Sequence, residues 1–447
     1  MFKRILIANR GEIALRIIRA CRELGVETAC VYSTADRDAP YLRLADHTVC
    51  IGEPPAADSY INMSRIISAA EVTDSDAIHP GYGFLAENAE FAAMCADCQI
   101  AFVGPSPEAM GRLGDKISCK RLARAAKMPV FPGSEDAIED EDEAVKVAQK
   151  IGFPVIVKAA FGGGGRGMRI AHNNMTLRTG LASARQEAEA AFGNGAVYVE
   201  KFLESARHIE VQVLADSHGA AVHLYERDCS IQRRHQKLIE EAPAPHVDPK
   251  RRDEVCKSAA RLVRNAGYVG AATVEMLLDE KQNFYLLEVN TRVQVEHPVT
   301  EMITGVDIVK TQIMVAAGEP LPFKQRNISA RGHAIECRIN AEDPANNFAP
   351  SPGPIDRFDT PGGPGVRIDS HAVAGYRVPP NYDSMIGKLI VHGDTREIAI
   401  ARTEQALKEF HIGPIKTTIP LQIELMRNGS FMHGGVDIHF LERLLKG

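Results

Sequence analysis

The chain has 447 residues, 45% of them hydrophobic and 25% charged, which suits a globular protein of roughly two to four domains. A net charge of −6 argues against general nucleic-acid binding, and no apolar run nears the ~20 residues that a membrane span needs. Nine scattered cysteines, and an N-terminus (MFKRILIANRG) too short in apolar residues for a signal peptide, point to a reducing, cytoplasmic setting.

Residues 4–8, RILIA, read as a buried strand. A helix over 12–24 follows, with Ile13, Ile17, Cys21 and Leu24 at helical spacing and Gly25 placed to end it. ETACVYS is the next strand, so the unit is strand, helix, strand, with a parallel sheet and a right-handed crossover. Apolar runs in HTVCIG, DAIHPGYG and IAFVGP extend it, and residues 1–113 are expected to form a doubly wound α/β domain. Ligands favour the carboxyl ends of such strands, where Asn9-Arg10-Gly11-Glu12 and His79-Pro80-Gly81-Tyr82-Gly83 lie. Both stretches read more simply as tight turns. The lone Cys95-x-x-Cys98 has no second pair and reads as incidental thiols.

Gly114-Asp115-Lys116 opens a helix that Pro129 closes. A lysine at a helix N-terminus opposes the macrodipole unless an anion sits nearby, which makes Lys116 a phosphate-ligand candidate. FPVIVKAA is a strand carrying Lys158, and FGGGGRGMRIA follows. Gly162, Gly164 and Gly167 satisfy GxGxxG, but MRIA reads as a strand, whereas a dinucleotide fingerprint opens a helix. The Lys-Ser/Thr pair of a Walker A loop is missing too. What remains is a glycine hairpin between two strands. Its N–H groups can wrap phosphate oxygens and its freedom lets it close as a lid, with Lys158 and Arg166 beside it.

Residues 177–192 form an amphipathic helix, and YVEKFL is a strand with Glu200 and Lys201. HIEVQVLAD alternates, setting His208, Glu210 and Gln212 opposite Ile209, Val211 and Val213. The strand AVHLYERD leads into CSIQRRHQK, read as a basic loop that gathers Arg227, Arg233, Arg234, His235 and Lys237. In an acidic chain such a cluster suggests an anionic substrate. Beyond a helix over about 249–266, AATVEMLLD and NFYLLEVN form an antiparallel pair that can set Glu275 beside Glu288. With Asn290 they make an oxygen-ligand set for Mg²⁺.

LLEVNTRVQVEHPVTE also alternates. Glu288, Asn290, Arg292, Gln294 and Glu296 oppose Val289, Thr291, Val293 and Val295, and Pro298 ends the segment. On a straight strand at ~3.3 Å per residue, Glu288 and Glu296 would stand about 26 Å apart, too far for one reaction centre. The segment is therefore expected to run as strand to about Asn290 and then bend. Towards the C-terminus, GHAIECRIN with Arg338, GVRIDSH and MIGKLIVHG are strands, 395–410 is a helix, and the proline- and glycine-rich 349–365 is a loop.

Glycine hairpin, paired acid strands and basic stretch together resemble the ATP-grasp enzymes, and the wording of the motifs resembles the biotin carboxylase family along essentially the whole chain. IANRGEIA, HPGYGFLAENAEFA, VKAAFGGGGRGM, ERDCSIQRRHQK, EVNTRVQVEHPVTE and GHAIECRINAEDP carry the resemblance. It implies an N-terminal α/β domain (1–113), a central ATP-grasp domain (114–330) with a mobile glycine-rich lid subdomain (131–203), and a C-terminal mixed α+β domain (331–447). It implies that ATP is held by Lys116, Lys158, Gly164, Gly165, Glu200, Lys201, Phe202, Leu203, His208, His235, Glu275 and Glu288. Glu275, Glu288 and Asn290 would carry Mg²⁺ or Mn²⁺. Bicarbonate would meet Lys237, Arg292, Gln294 and the Val295 N–H, with Glu296 as base and Arg338 as the biotin-side cation. Phe161 stands where some relatives have a further glycine.

The implied activity is ATP-dependent carboxylation of biotin through carboxyphosphate, the first half-reaction of acetyl-CoA carboxylase in malonyl-CoA and fatty acid synthesis. No Ala-Met-Lys-Met-like biotinylation segment occurs, so biotin is expected on a separate biotin carboxyl carrier protein that also serves carboxyltransferase subunits. A homodimer is implied, with Arg19 and Glu23 of the first helix as interface candidates or a solvated i,i+4 pair. The resemblance also leaves open the corresponding subunit of another acyl-CoA or pyruvate carboxylase. Two further rivals are a different ATP-grasp ligase and a non-catalytic ATP-binding subunit; the latter should have lost a metal acid or the base.

Overall fold

The computed structural model describes residues 1–138, 140–160 and 168–446. The glycine run, with Phe161, Gly164, Gly165 and Arg166, lies outside the described residues.

The first βαβ unit forms as its pattern dictates. Arg4–Ile7 and Glu27–Ser33 pair in parallel across the Gly11–Glu23 helix, whose apolar side is buried and which ends at Gly25 with φ 69°. His47–Gly52, Ala77–His79 and Ala101–Phe102 complete a five-stranded sheet in the order third, second, first, fourth, fifth. All its pairings are parallel. The strand order reverses between the first and fourth strands, where a crevice opens. The stretches Asn9–Glu12 and His79–Gly83 follow those two strands. The first is not a separate turn, because Gly11 and Glu12 already open the helix, and residues of both stretches wall the cleft, so the simple turn reading does not hold. The Asn9 amide ties them together, donating to the carbonyls of Pro80 and Tyr82 at 2.7 Å each.

The second sheet has eight antiparallel strands, in the order Phe284–Asn290, Gly270–Leu278, Arg207–Ala215, Ala221–Arg233, Gln236–Ala242, His333–Asn340, Met385–Gly393 and Val366–Ser370. Strands from both sides of residue 331 share it. The Pro249–Asn265 helix covers part of it with Val255, Ala259, Leu262 and Val263. A smaller sheet sets Val155–Ala159 between Arg169–Ala171 and Val197–Lys201. The helices Glu141–Ile151 and Asn174–Phe192 bury Ala144, Ala148, Leu177 and Leu181 against it. Among the described residues no helix is long and apolar enough to cross a membrane.

Three local expectations are corrected. CSIQRRHQK is not a loop: the strand runs on to Arg233, and only Arg234 and His235 turn, both at positive φ. Bulges in its pairing with Gln236–Ala242 let the ladder continue through the charged residues. The stretch 349–365 holds a strand, Gly353–Asp359, paired with His411–Pro414. Pro298 does not merely end an extended segment. It occupies the first turn of the His297–Thr304 helix, where a missing N–H costs nothing. The bend itself falls as expected, because the strand stops at Asn290.

Candidate active site

The cleft between the parallel sheet and the long antiparallel sheet encloses about 1100 Å³. Of the residues singled out in the sequence, Lys116, Lys158, Lys201, Phe202, Leu203, His208, His235, Lys237, Glu275, Glu288, Asn290, Arg292, Gln294, Val295 and Arg338 line it. Glu200 and Glu296 do not; they are buried behind that wall at 2% and 0% exposure.

One end of the cleft is a cationic shelf. The Lys116–Ala125 helix begins at Lys116, capped by the Asp115 side chain. Burial and the neighbouring Lys158 lower the Lys116 pKa, so an anion is wanted there. Glu200 accepts from Lys120 at 2.6 Å and Lys158 at 2.9 Å. Burial works against its ionisation, yet Lys158 and Lys120 hold its carboxyl below the usual range. Glu200 thus fixes the two lysines of the shelf. The Lys201 amine is turned back onto the carbonyls of Gly152 (3.1 Å) and Phe153 (2.8 Å).

The middle of the cleft is where the two acid strands meet. Glu275 and Glu288 are register partners on Gly270–Leu278 and Phe284–Asn290. Their situations differ. Glu275 accepts from Lys237 at 3.0 Å, from Gln294 at 2.8 Å and faces the His208 ring at 3.2 Å. Although burial opposes it, Lys237 and His208 hold its carboxyl well below the usual range. Glu288 has no side-chain partner among the described residues. Water reaches it through the open cleft, but the surrounding walls desolvate it, and with Glu275 beside it the pKa rises. An unneutralised carboxylate facing a second one is what a divalent cation relieves, and the oxygen donors of Glu275, Glu288 and Asn290 suit a hard ion. His208, Glu210 and Glu275 also converge within 4.8 Å, but Lys237 and Arg227 already satisfy that group.

The other end is built on the turn after Asn290. The Glu296 carboxylate accepts from Lys237 at 2.6 Å on one oxygen and from Arg338 at 2.8 Å on the other. Burial would raise it, but Lys237, Arg338 and Arg227 together hold it well below the usual range. Arg338 also bonds Glu240 at 2.6 Å. Arg292 reaches across to Glu87 at 2.9 Å and to Asn290 and Gln294 at 3.2 and 3.3 Å. Three cations, Lys237, Arg292 and Arg338, with the Gln294 amide and the buried Glu296 carboxylate thus gather beside the acid pair. The bend at Asn290 brings this group to the acids, since Gln294 touches Glu275 directly.

Four participants were not assigned a role in the sequence. Glu210 bonds Lys237 at 2.6 Å and Arg227 at 2.6 Å. Its position on the alternating HIEVQV face was a usable signal, because that strand proves buried on both faces. Lys120, one helical turn after Lys116, could have been found by spacing. Glu87 and Lys388 left no local signal. Arg227, assigned to a basic loop, is wholly buried and bonds Glu210, Gln212 and Thr300. Of the first-helix pair, Glu23 meets Lys310 at 3.1 Å, and Arg19 is exposed without a partner among the described residues.

Three family models cover nearly the whole chain. Residues 1–110 match the biotin carboxylase N-terminal domain, 115–324 the ATP binding domain of the carbamoyl-phosphate synthase L chain, and 336–443 the biotin carboxylase C-terminal domain. A biotin carboxylase of Allochromatium vinosum is 56% identical over 446 residues, covering 100% of this chain and 99% of that one. A solved biotin carboxylase complex with a β,γ-ATP ligand from Campylobacter jejuni superposes with a TM-score of 0.95 at 49% identity, covering 99% of both chains. The biotin carboxylase domain dimer of Hydrogenobacter thermophilus 2-oxoglutarate carboxylase, solved with MgADP, ADP and bicarbonate, gives 0.94 at 47% identity, covering 99% of this chain and 98% of that one.

Proposed function

The chain belongs to the biotin carboxylase family, an ATP-grasp ligase family, and from that premise we propose that it carboxylates biotin on a separate carrier protein as the first half-reaction of acetyl-CoA carboxylase. The observation that carries the reading is the Glu296 carboxylate held between Lys237 and Arg338 one residue from the Val295 amide.

In this reading ATP lies along the cleft with its phosphates towards Lys116 and Lys158. Glu275, Glu288 and Asn290 would hold Mg²⁺ or Mn²⁺, which when bound neutralises charge on the phosphates. Bicarbonate enters among Lys237, Arg292, Gln294 and the Val295 N–H. Its oxygen attacks the γ-phosphorus, ADP leaves, and Glu296 takes the bicarbonate proton, giving carboxyphosphate. A carboxylate held so low is a weak base. Bicarbonate must therefore draw Lys237 away from Glu296 as it binds, which raises the carboxylate towards a useful basicity. Arg338 then faces the biotin ureido oxygen, where negative charge grows as the ring nitrogen loses its proton. The chain is proposed to work as a cytoplasmic homodimer.

The test is ADP release with bicarbonate alone and with bicarbonate plus free biotin. Stimulation by biotin, with carboxybiotin formed, supports the reading; turnover indifferent to biotin overturns it. Co-purification should bring down a biotinylated carrier and a carboxyltransferase that acts on acetyl-CoA. The kinship with a 2-oxoglutarate carboxylase domain keeps a second reading, in which the co-purified carboxyltransferase acts on a 2-oxo acid.

A further inference from the structure

Behind the turn that carries Gln294, Val295 and Glu296 lie two buried side chains that do not line the cleft, His297 and Lys388. The Gln294 carbonyl accepts from the His297 ring Nδ1 at 2.8 Å and from the His297 backbone N–H at 3.4 Å. A carbonyl can only accept, so Nδ1 carries the hydrogen. Burial, then Lys388, Arg16 and Arg367, keep the ring neutral. The next carbonyl, of Val295, accepts from Lys388 Nζ at 2.8 Å. Lys388 is 0% exposed and is held in turn by Glu12 at 3.1 Å, whose carboxylate also accepts from the Tyr82 hydroxyl.

These contacts fix directions. The Gln294–Val295 peptide is trans, so its C=O and N–H point opposite ways. Drawing the Gln294 carbonyl back onto His297 turns the Val295 N–H forward. That N–H has no protein acceptor among the described residues, and Val295 lines the cleft. Pinning the Val295 carbonyl on Lys388 fixes the next peptide in the same way, and with it the start of Glu296.

We propose that His297 and Lys388 are positioning residues that hold these two carbonyls to the rear and thereby aim the Val295 N–H at bicarbonate. The proposal rests on the bicarbonate site described above. Neither residue touches substrate. Through Glu12 and Tyr82, the parallel-sheet domain is part of the same support.

The test compares His297→Leu, which keeps bulk but loses the donor, with His297→Asn, whose amide nitrogen can replace Nδ1. His297→Leu should raise the KM for bicarbonate about tenfold, the net worth of one hydrogen bond. Nucleotide Kd should stay within about twofold, and kcat should change less than KM. His297→Asn should restore most of the bicarbonate KM. Equal defects in Leu and Asn, or an unchanged bicarbonate KM, would overturn the proposal. Should the Leu variant fail to fold, Lys388→Met is read by the same KM-against-Kd comparison. If the unsubstituted chain shows no saturable bicarbonate dependence, the bicarbonate site itself falls. If it does, and His297→Leu leaves KM alone, only the positioning role falls.

Discussion

Replacing Lys237 by Met keeps the length of the side chain and removes its charge. The change strips a partner from three carboxylates at once, Glu210 at 2.6 Å, Glu275 at 3.0 Å and Glu296 at 2.6 Å. Glu210 retains Arg227 at 2.6 Å, Glu275 retains His208 at 3.2 Å and Gln294 at 2.8 Å, and Glu296 retains Arg338 at 2.8 Å. Breaking a buried pair costs about 3–5 kcal/mol, and the surviving partners argue for the lower end, about 3 kcal/mol at pH 8. The pH dependence is the sharper part. In the native chain Glu275 and Glu296 lie below their unfolded values. Their contribution is present above about pH 4.3 and lost as the pH falls through the folded values. In the variant these carboxylates move upward, the folded state holds a proton that the unfolded chain releases, and stability is lost as the pH rises. One extra bound proton widens the gap by about 1.4 kcal/mol per pH unit. Urea unfolding at pH 5 and pH 8 should therefore show the larger loss at pH 8, by at least about 1.4 kcal/mol. Bicarbonate-dependent ADP release should fall by about 10²-fold or more. Equal destabilisation at both pH values would refute the charge argument, and preserved turnover would remove Lys237 from the proposed bicarbonate site.

Glu288→Gln relieves the repulsion with Glu275 and deletes a carboxylate of the proposed metal set; the midpoint of thermal unfolding should hold or rise while the Mg²⁺ needed for half-maximal ADP release climbs about tenfold or more. An unchanged Mg²⁺ requirement would take Glu288 out of the metal set. Arg338→Ala should depress carboxybiotin formation about 10²-fold while sparing bicarbonate-dependent ADP release; equal losses would contradict its place on the biotin side. Glu241 is buried against His333 (2.7 Å) and Arg396 (2.6 Å). Although burial opposes ionisation, these partners hold its carboxyl below the usual range. Its contribution is thus present above about pH 4.3 and lost as the pH falls, so Glu241→Gln should cost about 3 kcal/mol at pH 7 and progressively less below about pH 4.3 in urea unfolding.

Periodicity exposed what was local. The βαβ start, the acid hairpin that sets Glu275 opposite Glu288, and the break at Asn290 all follow from spacing within a few residues. The break was legible because a straight strand would separate Glu288 from Glu296 by more than a reaction centre can span. What stayed hidden is what the topology supplies over long separations. Glu87 holds Arg292 across 205 residues, and Lys388 reaches the Val295 carbonyl across 93. Neither contact has a local pattern, since each depends on how the parallel sheet and the far end of the antiparallel sheet close on one turn. The basic stretch misled for a related reason. Five cations within eleven residues read as a loop facing an anionic substrate, but an acid from the neighbouring strand neutralises Arg227, and the bulged strand buries it. Charge density in one segment therefore says little about exposure until the opposing charges, here Glu210, Glu275 and Glu296 from three other segments, are placed. Once they are, the same residues read as a balanced interior, beside which the Glu288 carboxylate stands with no side-chain partner among the described residues, and that imbalance, more than the count of cations, is what marks the cleft as built to receive charge.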